Sequence, residues 1–122
     1  MEGAREILSA LQEQSATVFL VSKREAEREN ILNELAIAHF FTAVHFVEHK
    51  EDILKELIEQ ATEPVYVVGD YLHNEIRYGN KYGARTVWLK RGRFSTLVPE
   101  SEYDTPWRTI ETLEELRELI LD

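Results

Sequence analysis

The chain has 122 residues, enough for one domain with a hydrophobic core, and it is 43% apolar and 30% charged, as in ordinary soluble proteins. Its formal net charge of −9 opposes general binding to nucleic acid, whose phosphates attract positive charge. No apolar run approaches the roughly 20 residues of a membrane helix, and MEGAREIL lacks the apolar core of a signal peptide. The lack of cysteine excludes disulfides and thiolate metal sites. We therefore expect a cytoplasmic protein that binds neither membrane nor nucleic acid.

The chain begins with a predicted helix and strand. Apolar residues at helical spacing predict a helix over residues 4–14, and the short β-branched run TVFLV predicts a strand over 17–21. Ser22 and Glu25 then have the spacing of a capping box. This predicts that a second helix, with apolar residues at 31, 32 and 35, begins at Ser22.

The middle of the chain repeats the alternation of strands and helices. Three apolar runs predict strands, and the segments that follow the first two have helical spacing. The predicted strands are AVHFV at 43–47, VYVV at 65–68 and TVWLK at 86–90, and the predicted helices cover 51–60 and 73–82.

The last third is predicted as a long loop, a short strand and a helix. Residues 91–107 contain two prolines and predict the loop, and RTI at 108–110 predicts a final strand. Thr112 and Glu115 repeat the capping-box spacing before the last helix. Short strands that are apolar on both faces, alternating with helices, indicate a parallel sheet covered on both sides. We therefore predict a single three-layer α/β domain over residues 1–122, with about 4–5 strands.

Polar side chains follow the predicted strands. Ser22 comes after the first, Lys50 shortly after the second, and Gly69-Asp70 after the third. Ligands of open α/β sheets bind beyond the carboxyl ends of the strands. A hydroxyl, an ammonium and a carboxylate at one edge suit a phosphate group and a divalent cation, since Mg²⁺ prefers oxygen ligands.

In these motifs the sequence resembles the haloacid dehalogenase (HAD) superfamily of phosphohydrolases, from about Gly3 to Leu121. TVFLVS is similar to the family's second motif, with Ser22, and VEHKEDILKEL to its third, with Lys50. VYVVGDYLHNE is similar to the fourth, with Asp70 and with Glu75 where the family usually has aspartate. The resemblance implies a Rossmann-like core in which Ser22 and Lys50 bind phosphate while Asp70 and Glu75 bind Mg²⁺.

Lys55 is a weaker candidate for the family's lysine, because it lies inside a predicted helix.

One family motif is absent from this sequence. Family members begin with a strand carrying Asp-x-Asp, whose first aspartate is the nucleophile and whose second is the general acid/base. The four aspartates here are Asp52, Asp70, Asp104 and Asp122, and no two are separated by a single residue. The resemblance therefore implies a truncated core without its first strand, its cap or any catalytic nucleophile, and we expect no substantial phosphatase activity from this chain alone.

The absence of this strand affects which strands can pair in the sheet. In the family it lies between the strands that end here at Ser22 and Asp70. Unpaired buried strand edges are costly. We expect either that these two strands pair directly, or that another polypeptide supplies a strand, such as a second copy of this chain in a homodimer.

Three functional hypotheses follow. The first is a degenerate, non-catalytic HAD-like domain that binds a phosphorylated small molecule, with Mg²⁺, or a protein partner. The second is a C-terminal fragment of a Mg²⁺-dependent phosphatase that needs a separate nucleophile-bearing segment. The third is a self-associating structural module without a ligand. A phosphoacceptor receiver domain shares the architecture but needs an acidic pair after its first strand, which is missing here.

Each site residue also has an ordinary structural interpretation. Ser22 could cap a helix, Lys50 could be a solvated lysine, Asp70 a turn residue and Glu75 an acid on a helix face. His45 and His49 are about 13 Å apart along an extended chain, too far to share a zinc ion.

The remaining conspicuous residues are aromatic and basic. Trp88 is expected in the core and Trp107 is expected to anchor the long loop, while Tyr71 and His73 flank Asp70. A basic cluster indicates either a solvated face or a local site for an anion or a partner; it comprises Arg77, Lys81, Arg85, Lys90, Arg91 and Arg93.

Overall fold

A computed structural model of the protein describes residues 4–14, 19–23, 43–47 and 49–120. Helices and strands alternate along these ranges. The elements are α1 (Ala4–Glu13), β1 (Phe19–Lys23), β2 (Ala43–Val47), α2 (Lys50–Gln60), β3 (Tyr66–Gly69), a π-helical turn (Leu72–Ile76), α3 (Arg77–Lys81), β4 (Arg85–Leu89), 3-10 turns at Gly92–Phe94 and Glu102–Asp104, β5 (Arg108–Ile110) and α4 (Glu115–Ile120). None of the helices in these ranges is long and apolar enough to cross a membrane.

The five described strands form two parallel sheets. β1 pairs with β2, with Ser22 opposite Phe46. β4 lies between β3 and β5, with Tyr66 opposite Arg85 and Leu89 opposite Ile110. Across the described ranges β1 and β3 are not hydrogen-bonded and belong to separate sheets. Direct pairing of these two strands, one of the two expected arrangements, is therefore not the one adopted.

Helices cover both faces of the β3–β4–β5 sheet. Val87 and Leu89 of β4 pack on one face in a cluster with residues of α1, β5 and the α4 region: Ile7, Ile110, Leu113 and Leu116. Trp88 points to the other face and packs with Leu72 and Ile76 of the π-helical turn. This alternation along β4 makes the predicted three-layer α/β arrangement, and it confirms Trp88 as a core residue, 6% exposed.

A glycine lets α3 approach the sheet closely. A Cβ atom added at Gly79 would lie 2.7 Å from Cγ2 of Thr86 and 3.2 Å from Val67. Thr86 is fully buried, and its hydroxyl donates to Oδ1 of Asn80 at 2.7 Å. The same hydroxyl accepts from the backbone N–H of Trp107 at 3.1 Å, so Trp107 does anchor the end of the long loop.

Asp104 anchors the rest of that loop, a role that sequence analysis did not assign to it. Its side chain is fully buried, and its two oxygens accept from Nε and Nη2 of Arg77 at 2.7 and 2.9 Å. The backbone N–H groups of Glu100 and Ser101 donate to Oδ2 at 2.8 and 3.1 Å. The Arg77 guanidinium and these N–H groups hold the pKa of Asp104 well below its usual range.

Three element boundaries differ from the prediction. β1 continues through Lys23, so no helix begins at Ser22 and its predicted capping role is wrong; the helix predicted beyond it lies outside the described residues. The helix predicted over 73–82 begins as a π-helical turn. In the last helix Glu115 accepts from the backbone N–H groups of Thr112 and Glu111 at 2.9 and 2.6 Å, which lowers its pKa, although α4 itself starts only at Glu115.

Candidate functional site

The candidate site begins at the carboxyl end of β3, where Gly69 closes the strand and Asp70 follows it. The Trp88 indole N–H donates to the backbone carbonyl of Asp70 at 3.0 Å and holds this turn against the neighbouring strand. The Asp70 side chain is exposed, and within the described ranges no hydrogen bond or ion pair engages its carboxylate. Asp70 therefore presents a free carboxylate at a backbone position that is itself fixed.

Lys50 and Glu75 are brought together from positions 25 residues apart. Lys50 is the first residue of α2 and Glu75 lies in the π-helical turn. The Lys50 ammonium donates to Oε1 of Glu75 at 2.6 Å, and each side chain is only 14% exposed. The fold thus joins two of the four predicted site residues in a partly buried ion pair, beside the strand that Asp70 follows.

The Glu75 side chain is pressed against the end of β3. A Cβ atom added at Gly69 would lie 3.0 Å from Cγ of Glu75, so the glycine makes room for this carboxylate. Oε2 of Glu75 is buried and accepts no hydrogen bond from the residues that the structure describes, and the same is true of Oδ1 of its neighbour Asn74. Buried acceptors without a donor are rare and often mark functional sites, as π-helical turns do.

Asp70 and Glu75 offer the type of oxygen ligand that hard divalent cations prefer. Asp70 offers an exposed carboxylate, and Glu75 has one oxygen that Lys50 does not occupy. Mg²⁺ is bound in proteins through one or two carboxylates together with water and phosphate oxygens. Two carboxylates of this kind could take part in holding Mg²⁺, and the Lys50 ammonium lies beside one of them.

Two other candidates have no described contact with this ion pair. Ser22 lies within β1, next to its last residue, in the sheet that does not include β3, and its side chain lies outside what the structure describes. Lys55 is exposed on α2, where its ammonium lies 5.8 Å from the ring centroid of Tyr82. Tyr82 in turn donates to Glu51 at 2.6 Å, so Lys55 belongs to a contact between α2 and the end of α3.

A second group of acidic and histidine side chains in the described ranges has the residue types of a metal site, but its buried aspartate is already paired with an arginine. His73, Glu100 and Asp104 offer ligand atoms within 4.8 Å of one another. Both oxygens of Asp104 are taken by Arg77, and His73 Nε2 lies 2.8 Å from the carbonyl of Val98. A cation here would have to displace a bidentate arginine, so this group is better explained as an anchor for the loop.

Tyr71 belongs to the same surface: its ring centroid is 4.2 Å from that of Phe94 and 6.0 Å from that of His73. The aromatic residues beside Asp70 thus pack on the loop that follows β4.

Fold and site together define a parallel three-layer α/β domain with an acidic and lysine-bearing strand end. The HAD-hydrolase-like family matches residues 34–117, which is more than half of the chain. The chain therefore belongs to the HAD-like hydrolase family, as its motifs indicated. No curated protein sequence is significantly similar to it.

A solved structure supports the same fold. A haloacid dehalogenase-like family hydrolase from Xanthomonas campestris matches with a TM-score of 0.64 at 15% identity. The match covers 98% of this chain and 50% of that one, so this chain spans about half the length of that structure. At this identity the likeness establishes the fold alone.

Proposed function

We propose that this chain is a HAD-like domain that binds Mg²⁺ and a phosphate group at the end of β3 and does not hydrolyse phosphate esters alone. The observation that carries the proposal is the partly buried ion pair of Lys50 and Glu75, beside Gly69 and the free carboxylate of Asp70. An ordinary surface lysine would be solvated, whereas this one is held at a strand end where α/β domains bind ligands.

The charges of the site favour binding of a cation first and of an anion once the cation is bound. Asp70 and Glu75 contribute two negative charges and Lys50 one positive charge, which leaves a net charge of −1. A bound Mg²⁺ would change this to +1, so the loaded site would attract a phosphate. Asp70 and the free oxygen of Glu75 would hold the ion, and the Lys50 ammonium and the Ser22 hydroxyl would bind phosphate oxygens.

The residues proposed to bind Mg²⁺ and phosphate do not include a nucleophile. Covalent phosphoryl transfer requires a carboxylate that attacks the phosphorus atom in line with the leaving group, in addition to the carboxylates that hold the cation. Asp104 is fully buried against Arg77 and is not free to attack a ligand at the end of β3, and Asp52 is an exposed residue of α2 and does not follow a strand. Asp70 is the remaining strand-end aspartate in the described ranges, and it is assigned to the cation.

Calorimetric titration of Mg²⁺ tests the binding proposal. We expect binding to the wild-type chain, at least about tenfold weaker binding to Asp70→Asn, which would correspond to about 1.4 kcal/mol, and unchanged binding to Asp52→Asn. Asp52 is a matched control because it is an exposed aspartate in α2. Equal Mg²⁺ binding by all three proteins would refute the assigned site, and rapid hydrolysis of p-nitrophenyl phosphate by the chain alone would refute its non-catalytic character.

A second candidate function arises from the divided sheet. The backbone N–H of Arg85 donates to the carbonyl of Val65 at 2.8 Å, so in a regular parallel ladder Val65, Val67 and Gly69 face β4. The backbone groups of Tyr66 and Val68 then face the opposite edge, which within the described ranges has no strand beside it. β3 also contains no charged residue or proline to discourage pairing.

We infer that this edge accepts a strand from another polypeptide, either a second copy in a homodimer or a separate chain carrying the family's nucleophile. The latter would make this chain the C-terminal part of a Mg²⁺-dependent phosphatase.

Hydrogen exchange measured residue by residue, together with light scattering, tests whether the edge of β3 is open. In the chain alone, we expect faster exchange at the amides of Tyr66 and Val68 than at those of Val67 and Gly69. Equal, strong protection of all four amides in a monomer would exclude an open edge.

A further inference from the structure

The basic cluster of the sequence does not form one surface. Arg77 and Lys81 are held in ion pairs, with Asp104 at 2.7 Å and with Glu51 at 2.9 Å. Arg85 differs, because it begins β4 at the opposite end of the sheet from the candidate site. At that end of the sheet it lies near Arg108, the first residue of β5, which is not part of the basic cluster.

At this end of the sheet, two arginines and two aromatic rings are stacked together. We call Tyr66, Arg85, Trp107 and Arg108 the arginine–aromatic platform. The guanidinium carbon of Arg85 lies 5.6 Å from each of the Tyr66 and Trp107 ring centroids, and that of Arg108 lies 4.4 Å from the Trp107 centroid. The two rings are 5.8 Å apart at an interplanar angle of 58°. Such stacking holds each guanidinium in place and leaves most of its N–H donors at the edge.

Both guanidiniums retain unused donors. Arg85 donates Nη1 to the Tyr66 hydroxyl at 3.0 Å, and Arg108 donates Nη1 to the Trp107 carbonyl at 2.8 Å. Each guanidinium carries five N–H donors. Throughout the described ranges neither arginine forms an ion pair with an acid, although the chain has 23 acidic residues and only 14 lysines and arginines. In so acidic a protein, two neighbouring exposed arginines without a carboxylate are unusual.

The backbone of the platform is part of the sheet, and the platform is separate from the proposed phosphate site. Tyr66, Arg85 and Arg108 are the first residues of β3, β4 and β5, and the backbone of Trp107 is tied to the buried Thr86 hydroxyl. From Tyr66 to Asp70 the strand rises roughly 13 Å, at about 3.3 Å per residue. A ligand held here would not touch Asp70, and little ordering would oppose its binding.

We propose that the arginine–aromatic platform is a docking site for a short acidic segment of a partner protein. Tryptophan, tyrosine and arginine are the residue types that dominate binding energy at protein interfaces. A guanidinium fork matches a carboxylate, and the partly exposed residues Tyr66 and Trp107 suit an apolar side chain next to it. The charge of −9 repels a long polyanion such as nucleic acid, so one or two carboxylates on a peptide are the favoured partner.

A binding assay with a defined peptide tests this proposal on the full chain. The probe is a dye-labelled octapeptide that contains two Glu residues separated by one Leu in an otherwise uncharged sequence, compared by fluorescence polarisation with the same peptide carrying Gln in place of Glu. We expect the Glu peptide to bind at least about tenfold more tightly than the Gln peptide, and to weaken as salt is raised. The double variant Arg85→Gln/Arg108→Gln should lose this preference, whereas Arg91→Gln should keep it.

Arg91 is an exposed arginine after the other end of β4, so it controls for net charge alone. Circular dichroism checks that the double variant is folded, which we expect since both arginines are exposed. The proposal is overturned if both peptides bind equally, if neither binds, or if the folded double variant keeps the preference for Glu. Tighter binding of a single-stranded oligonucleotide of equal charge would also overturn it, in favour of a nucleic-acid site.

Discussion

Replacing Asp104 by asparagine tests whether one buried acid secures the long loop to α3. The wild-type carboxylate accepts two hydrogen bonds from Arg77 and two from the backbone, at Glu100 and Ser101. Asparagine keeps the shape but removes the charge and replaces one acceptor by an N–H₂ donor. In place of Oδ1 that donor would face Nε of Arg77, and in place of Oδ2 it would face Nη2 of Arg77 and both backbone N–H groups, so the network loses at least one hydrogen bond.

The expected loss of stability is about 3 kcal/mol. Breaking a buried ion pair by removing one partner costs about 3–5 kcal/mol, because the remaining charge is left uncompensated. The Arg77 side chain is 29% exposed and can recover part of its hydration, which places the loss at the lower end. For a chain of this size, a loss of about 3 kcal/mol lowers the melting temperature by roughly 10 °C.

Urea unfolding at several pH values measures this effect. Arg77 depresses the pKa of Asp104, so the stabilisation is complete above the unfolded-state pKa of about 3.9 and is lost as the pH falls through the folded-state value. The difference between wild type and Asp104→Asn should therefore narrow by about 1 kcal/mol between pH 6 and pH 3. The exposed neighbour Glu102, changed to Gln, is the control, with an effect within about 0.5 kcal/mol. A difference below about 0.5 kcal/mol at pH 7, or one that widens in acid, would refute this account.

Three further substitutions test the packing and the site. Gly79→Ala should destabilise the domain by about 2–3 kcal/mol in urea unfolding, because the new methyl group would collide with Thr86; an unchanged midpoint would show that α3 can move away. Gly69→Ala should leave most of the stability but weaken Mg²⁺ binding in calorimetry by displacing Glu75, and unaltered binding would count against Glu75 as a ligand. Glu115→Gln should lower stability above the unfolded-state pKa of about 4.3, and this loss should shrink as the pH falls below about 4.3 and through the lower folded-state pKa, since backbone N–H groups depress the pKa of this carboxyl; a pH-independent loss in the same urea series would contradict that cause.

The layer arrangement could be predicted because it depends on local patterns. Short runs such as VYVV and RTI, separated by helical spacing, were sufficient for β3, β5 and the helices that cover them. The position of Asp70 after β3 also followed from the run alone. A polar residue directly after an apolar run can therefore be placed at the carboxyl end of a strand from the sequence alone.

The remaining features depend on contacts between distant residues. Asp104 looked like an ordinary loop acid, since nothing near it in sequence indicates that Arg77, 27 residues away, would meet it. The pairing of Lys50 with Glu75 is similar, because the spacing of a sequence motif cannot show that two side chains 25 residues apart lie 2.6 Å from each other. Ser22 was misread because a capping-box spacing also occurs inside a strand, where Lys23 continues the pairing with β2.

The most direct test of the central claim is a thermal melt with and without Mg²⁺ and inorganic phosphate, on the wild type and on Asp70→Asn. A ligand that binds only the folded state must raise the melting temperature. The account predicts a rise for the wild type that needs both Mg²⁺ and phosphate for its full size and is lost in Asp70→Asn, with both proteins equally folded. No rise in the wild type, or the same rise in Asp70→Asn, would contradict a phosphate and Mg²⁺ site at the end of β3.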